Sequence, residues 1–292
     1  MRNYTVLIAG GSGLIGQNLK FHLERLDVTV RILSRNKKSK FYWNPKQKKI
    51  DEKALDQVDV VVNLCGLSVD RRWTKKNKFE ILSSRIHSTD FLIYKLNQRG
   101  VKIKKYIGVS ATGYYNYDET LKNESSKQGD HFLSKVCSSW ESQINKLNDT
   151  SFCLLRLGVV LSKKGGMLKK LLFPFSLSLG TPMGNGKQLI SWIHIDDVSR
   201  MIIHCMKIPN NEIFNCVSPN VVTNEFFSKT FSKSLKKEIW LPNIPSPLLK
   251  LIFGEMSSMI LGSINASSKK IEETGFIFKF PKLKKAIEHL LN

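Results

Sequence analysis

The chain has 292 residues, 41% of them hydrophobic, which is enough for a sizeable core in one large domain or two small ones. Its formal net charge is +22, but lysine is spread over nearly every segment, which indicates a solvated surface more than a nucleic-acid partner. No apolar run approaches the roughly 20 residues of a membrane helix, and strand-like residues follow the start at Met1 to Thr5 directly. We therefore expect a cytoplasmic globular protein with no cleavable leader, binding neither nucleic acid nor membrane.

The five cysteines are scattered and form no C-x-x-C pair. Cys65, Cys137, Cys153, Cys205 and Cys216 are also odd in number, so neither a disulfide framework nor a zinc site is indicated. We expect them to be small buried hydrophobic side chains.

Short apolar runs alternate with helical patterns along most of the chain. The runs predicted as strands are Thr5–Ala9, Val28–Leu33, Asp59–Leu64, Lys105–Ser110, Phe152–Leu161 and Glu212–Val217. Between them, Leu19 and Leu23 continue a helical spacing that starts at Leu14, and a longer helical pattern runs from Phe79 to Leu96. This alternation predicts an α/β fold, a Rossmann-type doubly wound parallel sheet.

The glycine-rich segment after the first strand carries the most specific chemistry. Gly10, Gly13 and Gly16 follow a strand and precede a helix, the spacing of a dinucleotide-binding loop. Gly10 permits a tight turn, Gly13 has no Cβ to block a pyrophosphate, and Gly16 lets the helix approach the strand. The alternative is a plain glycine turn. Leu14 and Ile15 belong to the same loop.

The end of the second strand indicates which cofactor the loop would hold. An NAD site commonly has a carboxylate there for the ribose 2′-hydroxyl, and this chain has none. It has Ser34 and Arg35, a hydroxyl and a guanidinium suited to a 2′-phosphate. We therefore predict NADP as cofactor, with a solvated basic turn as the alternative.

Several ordered motifs resemble one family, the extended short-chain dehydrogenases, in an atypical branch usually labelled "epimerase family protein" and sometimes "cell division inhibitor". The matching segments are Asn63–Gly66, Arg72–Thr74, Ser84–Ile86, Ser110–Tyr115, Trp140–Glu141, Arg156–Leu161, Pro174–Phe175, Gly184–Gln188, Trp192–Asp197, Thr223–Phe226 and Gly275–Pro281. The resemblance covers nearly the whole chain and implies a small substrate-side domain at the C-terminus.

The resemblance implies further cofactor-binding residues beyond the glycine loop. Leu64, Cys65 and Gly66 would lie where the adenosine leaves the sheet, Glu80 and Arg85 would face it from the long helix, and Val160 would border the nicotinamide. The alternative is that Leu64, Cys65 and Val160 are core residues, with Glu80 and Arg85 as a surface pair.

The catalytic half is less defined, because the superfamily's Tyr-x-x-x-Lys motif is missing. His131 occupies the tyrosine position and Lys135 the lysine position. His131 is either a proton-transfer group or a partly exposed histidine without a role. Ser110 matches the superfamily's substrate-binding serine, and Tyr114 is either a proton donor or a structural hydroxyl.

The remaining chain suggests a cleft region and a second domain. We predict a Rossmann domain over residues 1–218, with 165–190 as a cleft loop region, and a small domain over 219–292 that contains a helix from Leu248 to Ile260. His194 invites a metal interpretation, but no second ligand follows at standard spacing and Asp197 resembles a helix N-cap, so we predict no metal.

Three function classes stay open. The favoured one is an NADP-dependent epimerase or oxidoreductase acting on a small molecule that the sequence does not identify, with nucleotide sugars as one candidate class. The second is a protein that binds or senses NADPH without turnover, which the missing tyrosine favours. A basic nucleic-acid-associated factor is the third. The sequence does not indicate an oligomeric state.

Overall fold

The structure is a computed structural model and describes residues 4–292. The first three residues, part of the segment on which the prediction of no leader depends, lie outside the described residues. Between Tyr4 and Asn292, no helix has the length and apolar character needed to cross a bilayer. All five cysteines are free, and four of them are buried as the sequence predicts, whereas Cys65 is half-buried.

The strands vary from two to seven residues in length. They are β1 (Thr5–Ala9), β2 (Thr29–Ser34), β3 (Phe41–Asn44), β4 (Lys49–Ile50), β5 (Val60–Asn63), β6 (Lys105–Ala111), β7 (Asp118–Lys122), β8 (Phe152–Leu157), β9 (Val159–Leu161), β10 (Leu189–Ile190), β11 (Trp192–His194), β12 (Glu212–Cys216), β13 (Val222–Thr223) and β14 (Ile264–Ala266).

The helices connect these strands and cover the sheet. They are α1 (Leu14–Glu24), α2 (Lys75–Gln98), α3 (Phe132–Glu141), α4 (Gly166–Ser176), α5 (Ile195–Cys205), α6 (Asn224–Ser234), α7 (Ser246–Phe253), α8 (Ser257–Leu261), α9 (Lys269–Glu273) and α10 (Leu283–Leu291).

An eight-stranded sheet is the centre of the fold, in the order β12-β8-β6-β5-β1-β2-β3-β4. Every pairing in it is parallel except that of β3 with β4 at one edge. Strand order reverses direction between β1 and β5, which is the switch point where open α/β sheets bind ligands. The predicted α/β, Rossmann-type fold is therefore confirmed.

Alternating side chains of the strands form two apolar layers. Val6 and Ile8 of β1 lie in one core with α1 and α5, and Leu7 and Ala9 lie in the other with α2. This two-sided burial explains why the strands have continuous apolar sequences, since parallel strands are covered on both faces.

The structure differs from the sequence predictions in several segments. Residues 165–190, predicted as a cleft loop region, contain helix α4 and strand β10. Phe152–Leu161 is not one strand: β8 belongs to the main sheet, whereas β9 pairs with β11 in a separate ribbon. The helix predicted over Leu248–Ile260 is broken at Gly254, whose φ of +58° is incompatible with a continuous helix. Strands β3 and β4 were not predicted, because they have only four and two residues and neither contains the longer apolar run of a central strand.

The C-terminal part of the chain packs closely against the sheet-forming part. Phe227, Phe280 and Leu283 share a core with Leu161 and Trp192. In addition, β14 pairs in parallel with β7. The division into residues 1–218 and 219–292 stays a prediction, and both sides of that boundary contribute to common cores.

Candidate functional site

The predicted site residues come from the carboxyl ends of neighbouring strands. Ala9, the last residue of β1, pairs with Leu33 of β2 on one side and with Asn63 of β5 on the other. Asn63 pairs with Gly108 near the end of β6. The glycine loop, Ser34, the turn after Asn63 and Ser110 therefore lie along one edge of the sheet, at the switch point.

The glycine loop has the geometry that the sequence predicts. Gly10 has a φ of +81°, and a Cβ added to it would lie 2.9 Å from the Leu64 carbonyl carbon and oxygen. A Cβ on Gly16 would lie 2.5 Å from the Gly11 Cα, so only glycine permits this approach of helix and strand. Gly13 is the N-cap of α1 with a φ of −78°, and no side chain caps the helix. The free N-terminal amides of α1 are thus available to an anion.

A buried polar network holds the turn from Leu64 to Gly66. Asn63 donates to Thr89 Oγ1 at 2.8 Å and to the Tyr106 hydroxyl at 2.9 Å. Its Oδ1 accepts from the Cys65 amide at 3.1 Å. Because every polar atom of the Asn63 side chain is engaged, this turn is rigid. The network was not predicted, since its members are far apart in the sequence.

Ser34 and Arg35 lie at the end of β2, across from this turn. The Ser34 hydroxyl accepts from the Asn36 amide at 3.1 Å and so shapes the loop. Arg35 is exposed. Burial raises the pKa of the Cys65 thiol to about 12, and the charge of Arg35 acts in the opposite direction. Because β1 pairs with both β2 and β5, Arg35 and the Cys65 turn follow the two strands that flank β1.

Glu80 and Arg85 do not form a surface pair. Glu80 pairs with Arg71 at 3.1 Å, whereas the Arg85 guanidinium donates to the Ile81 carbonyl at 3.0 Å and lies over the Trp140 ring. A Cβ on Gly66 would lie 3.1 Å from the Arg85 Cζ, so Arg85 packs directly on the turn after β5. Burial lowers the pKa of Arg85.

Val160 and its neighbours close the site from the far side of the glycine loop. Val160 and Ile15 are both partly buried against the same apolar core. A Cβ on Gly165, two residues before Met167, would lie 3.2 Å from Leu14 Cδ2. The segment after β9 therefore contacts the helix end of the glycine loop.

Ser110 and Tyr114 lie together at the end of β6. Ser110 is buried and its hydroxyl has no hydrogen-bond partner within residues 4–292. Tyr114 is half-buried, and the Arg156 guanidinium carbon stacks 3.6 Å from its ring centroid. This contact fixes the orientation of the Tyr114 ring.

The Arg156 side chain that stacks on Tyr114 belongs to a buried ion pair. Arg156 makes bidentate contacts with Glu141 at 2.9 and 2.8 Å, and the two side chains are 3% and 10% exposed. Arg156 also donates to the Tyr115 hydroxyl, which donates to Asn215 Oδ1 at 2.7 Å. Glu141 raises the pKa of Arg156, although burial opposes it. In the sequence, Trp140–Glu141 and Arg156 belong to separate motifs, and nothing in their spacing predicts the pair.

His131 has a structural role at the tyrosine position. Its Nδ1 accepts from the Ser134 amide at 3.3 Å as the N-cap of α3, so its Nε2 carries the proton and donates to the Tyr115 carbonyl at 2.8 Å. Burial lowers the pKa of His131. Both ring nitrogens are therefore engaged, and Lys135 is exposed.

We predict that His131 does not transfer protons in any turnover. His131→Asn keeps an N-cap acceptor, so the rate of NADPH oxidation should fall less than about threefold, while loss of a general acid or base typically costs 10²–10⁴-fold. Steady-state kinetics with NADPH would check this. A hundredfold lower kcat with unchanged NADPH affinity would instead assign the proton transfer to His131.

His194 also acts as a helix cap, and the prediction for Asp197 was wrong. His194 Nδ1 accepts from the Asp196 amide at 3.0 Å. Asp197 lies inside α5, fully buried, and accepts from the Lys279 and Phe280 amides at 2.8 Å. The N-cap was predicted at the wrong residue, because a helix start rich in Asp has more than one residue that could cap the helix.

His194, Asp196 and His289 have ligand atoms within 4.8 Å of one another. The cap bond leaves the proton of His194 on Nε2, which lies 3.2 Å from His289 Nδ1. A neutral imidazole binds a metal through an unprotonated nitrogen. Asp196 is itself engaged by Asn18 and His22. The hydrogen bonds thus favour a cap over a metal site.

Burial of His194 predicts a pH-dependent stability. Burial lowers the pKa of His194 to about 4, so between about pH 6.5 and 4 the unfolded chain binds more protons than the folded chain. The contribution of neutral His194 to the free energy of unfolding is present above pH 6.5 and is lost as the pH falls. His194→Asn should reduce the loss of unfolding free energy between pH 7.5 and 5 by about 2 kcal/mol, measured by urea unfolding. An identical loss in wild type and variant would contradict it.

Two surface cavities lie away from this site. One of about 520 Å³ is lined by His204, Lys207 and Lys270 among others, and one of about 470 Å³ by Ser151, Phe152 and their neighbours. Both lie beside the loop before β12, at the opposite edge of the sheet from the glycine loop. Neither cavity therefore belongs to the candidate site, which consists of the residues at the switch point of the sheet.

The matches to family models agree with this geometry. The model of the NAD dependent epimerase/dehydratase family matches residues 6–216. The chain belongs to this family. A model of a domain of unknown function, DUF1731, matches residues 244–290. The predicted resemblance to the epimerase branch of the extended short-chain dehydrogenases is thus confirmed.

Individual relatives cover the whole chain. An "epimerase family protein" of Staphylococcus aureus is 32% identical over 312 residues, covering 100% of both chains, and one of Staphylococcus saprophyticus is 32% identical over 305 residues, again covering 100% of both. Human epimerase family protein SDR39U1, solved with NADPH, superposes with a TM-score of 0.89 at 28% identity over 98% of each chain. A nucleoside-diphosphate sugar epimerase of Corynebacterium glutamicum gives 0.80 at 27% identity, over 99% of this chain and 58% of that one.

Proposed function

We propose that this family member binds NADP(H) at the glycine loop and uses it for hydride transfer, as an epimerase or oxidoreductase. The observation that carries the proposal is the glycine loop, in which Gly10 and Gly16 have approaches that only glycine permits while the N-terminal amides of α1 stay uncapped. The NADPH in the structure of human SDR39U1 supports it. The five free cysteines agree with a reducing, cytoplasmic location.

The residues along the sheet edge fit a dinucleotide. Gly13 and the first amides of α1 would hold the pyrophosphate, the turn at Cys65 and Gly66 would contact the adenosine, and Val160 would border the nicotinamide. The cofactor supplies the hydride at C4 of its nicotinamide. Arg85 packs on the turn after β5 and keeps it in place.

The choice of NADP over NAD depends on Arg35 and Ser34. A guanidinium directly after β2 matches a 2′-phosphate, and no carboxylate follows β2 before Asp51 to accept from a free ribose hydroxyl.

NADPH should raise the melting temperature of the purified protein. A ligand that binds only the folded state stabilises it by about 2.7 kcal/mol at 100 times its Kd. Gly13→Val is the matched variant, because the Gly13 φ of −78° suits an L-residue and an added Cβ would meet only the Gly10 carbonyl oxygen, at 3.3 Å, which a small shift of that carbonyl relieves, while the added methyls would occupy the phosphate position. The variant should fold normally and lose the shift in a thermal melt. A flat melting curve for wild type at saturating NADPH would contradict the proposal.

The second candidate is an NADPH-binding protein without turnover. His131 favours it, because a capping histidine with both nitrogens engaged replaces the family's tyrosine. NADPH oxidation in the presence of candidate substrates separates the two functions: binding with no oxidation of NADPH by any carbonyl substrate would support this candidate.

A further inference from the structure

Exposed apolar side chains are concentrated in two short segments of the chain. Of the fourteen large apolar side chains exposed between Tyr4 and Asn292, seven lie in residues 173–179 and 240–252. The first segment contains the end of α4, and the second contains most of α7. We call the seven residues the α4–α7 face; they are Phe173, Leu177, Leu179, Trp240, Leu248, Leu251 and Ile252.

Hydrogen bonds join the two segments at one end of this face. The Thr181 hydroxyl lies 3.1 and 3.0 Å from the carbonyl oxygens of Leu241 and Pro242. The Ile244 amide donates to the Pro182 carbonyl at 2.9 Å. The C-terminal end of α4 and the N-terminal end of α7 are therefore held close together.

The loop that follows β5 lies at the other end of both helices. Lys170 Nζ on α4 lies 2.9 Å from Asp70 Oδ2, and a Cβ on Gly254, directly after α7, would lie 3.5 Å from Arg72 Nε. The two helices therefore run in opposite directions across the same part of the surface, and their exposed side chains belong to one group. Single exposed apolar residues are ordinary, whereas such a group commonly marks contact with a partner or a membrane.

Each of the two helices has an apolar face that no other element of the described chain covers. Leu248, Leu251 and Ile252 are three and four residues apart on α7, so they share one face of that helix. Phe173 and Leu177 are four residues apart at the end of α4, and Phe173 is 72% exposed. Surface helices of globular proteins usually have polar residues on the solvent side, and helices that lie in a membrane interface have aromatic residues and leucine there.

The charged side chains in these segments are all basic. Lys169 and Lys170 are exposed on α4, and Lys250 is exposed on α7. Neither an aspartate nor a glutamate occurs in residues 157–195 or 239–254. An occupant of the face should therefore combine apolar groups with negative charge.

A second copy of this chain does not meet that requirement. A symmetric contact would place Lys169, Lys170 and Lys250 against the same lysines of the second copy, with no carboxylate in either segment to pair with them. The net charge of +22 adds repulsion between the two copies. Charge therefore disfavours self-association through this face.

The shape of the face favours a lipid surface over a folded protein. A docked peptide or helix commonly needs a groove, whereas this face consists of side chains on the outer sides of two helices, and neither of the two surface cavities is lined by its residues. A bilayer accepts exposed Trp, Phe and Leu side chains without a matching shape, and its anionic headgroups attract lysines. Because no helix of residues 4–292 could span a bilayer, the contact would be with the membrane surface.

We infer that the α4–α7 face binds the surface of an anionic phospholipid bilayer. The apolar side chains enter the headgroup region, and Lys169, Lys170 and Lys250 contact the lipid phosphates. No membrane contact was expected from the sequence, because a face assembled from two short segments contains no long apolar run. The inference does not depend on the proposed hydride transfer.

The test is co-sedimentation of the full-length protein with two kinds of vesicle, one of phosphatidylcholine alone and one of equal parts phosphatidylcholine and phosphatidylglycerol. We expect binding only to the anionic vesicles, and weaker binding at high salt. Leu251→Glu and Phe173→Glu, on different helices, should each weaken binding at least tenfold, because a carboxylate is repelled by the headgroups and resists burial. Lys250→Gln should weaken it about fivefold.

Ile277→Glu is the matched control, because Ile277 is 76% exposed, close to the 74% of Leu251, and lies outside the face. It makes the same change of charge and should bind as wild type does. The melting temperature of each variant separates lost membrane contact from unfolding.

Three results would overturn the inference. The first is equal binding to both kinds of vesicle, or equal loss in Ile277→Glu and Leu251→Glu. The second is a monomer in analytical ultracentrifugation that binds neither vesicle, which would favour a protein partner. The third is a dimer that binds neither vesicle and that Leu251→Glu dissociates, which would favour a second copy.

Discussion

Glu141→Ala should destabilise the protein by about 3–5 kcal/mol, because it leaves the buried Arg156 charge without its partner. Arg156 is 3% exposed and makes two contacts with Glu141, at 2.9 and 2.8 Å. Water cannot reach the guanidinium to replace them. Equilibrium urea unfolding at pH 7.5 measures the loss.

Two companion variants sharpen this test. Glu141→Gln keeps one acceptor for Arg156 and should lose less stability than Glu141→Ala. Lys284→Ala breaks an exposed pair with Glu288, whose side chains are 76% and 47% exposed, and should change stability little. If Glu141→Ala were no more destabilising than Lys284→Ala, the buried pair would not be a stabilising element of this site.

Arg35→Ala should weaken NADPH binding by roughly ten- to a hundredfold and barely change NADH binding. The expected loss follows from about 1.5–3 kcal/mol for a charge-assisted hydrogen bond to the 2′-phosphate. Arg35→Asp should narrow or reverse the preference, since a carboxylate repels the phosphate but accepts from a ribose hydroxyl. Paired NADPH and NADH titrations at one salt concentration measure both effects.

Lys49→Ala controls for the loss of one positive charge, because Lys49 is exposed on β4 at the edge of the sheet. It should leave the ratio of the two affinities unchanged. An equal loss for NADPH and NADH in Arg35→Ala would mean that Arg35 supports the loop and does not contact the phosphate.

The fold was largely predictable because its central strands are buried on both faces. Such strands need continuous apolar sequences, and β1, β5 and β6 have them. Strand β3 and the ribbon of β9 with β11 were not predictable in this way, because tertiary pairing, not an apolar run, decides their place.

The site was predictable where a local backbone geometry requires one residue type. Gly10 and Gly16 are such positions, and their close approaches agree with the sequence prediction. The Arg156–Glu141 pair and the Asn63 network join residues distant in sequence, so spacing gives no signal for them. His131 lies at the expected position, but its role depends on the Tyr115 carbonyl, which only the fold brings near.

The most direct test of the account is a crystal structure of this protein grown with saturating NADPH. The pyrophosphate should lie over Gly13 and the first amides of α1, with the 2′-phosphate within hydrogen-bond distance of Arg35 and the nicotinamide beside Val160. NADPH bound elsewhere, for example in the cavity lined by His204 and Lys270, or no bound NADPH at saturating concentration, would contradict it.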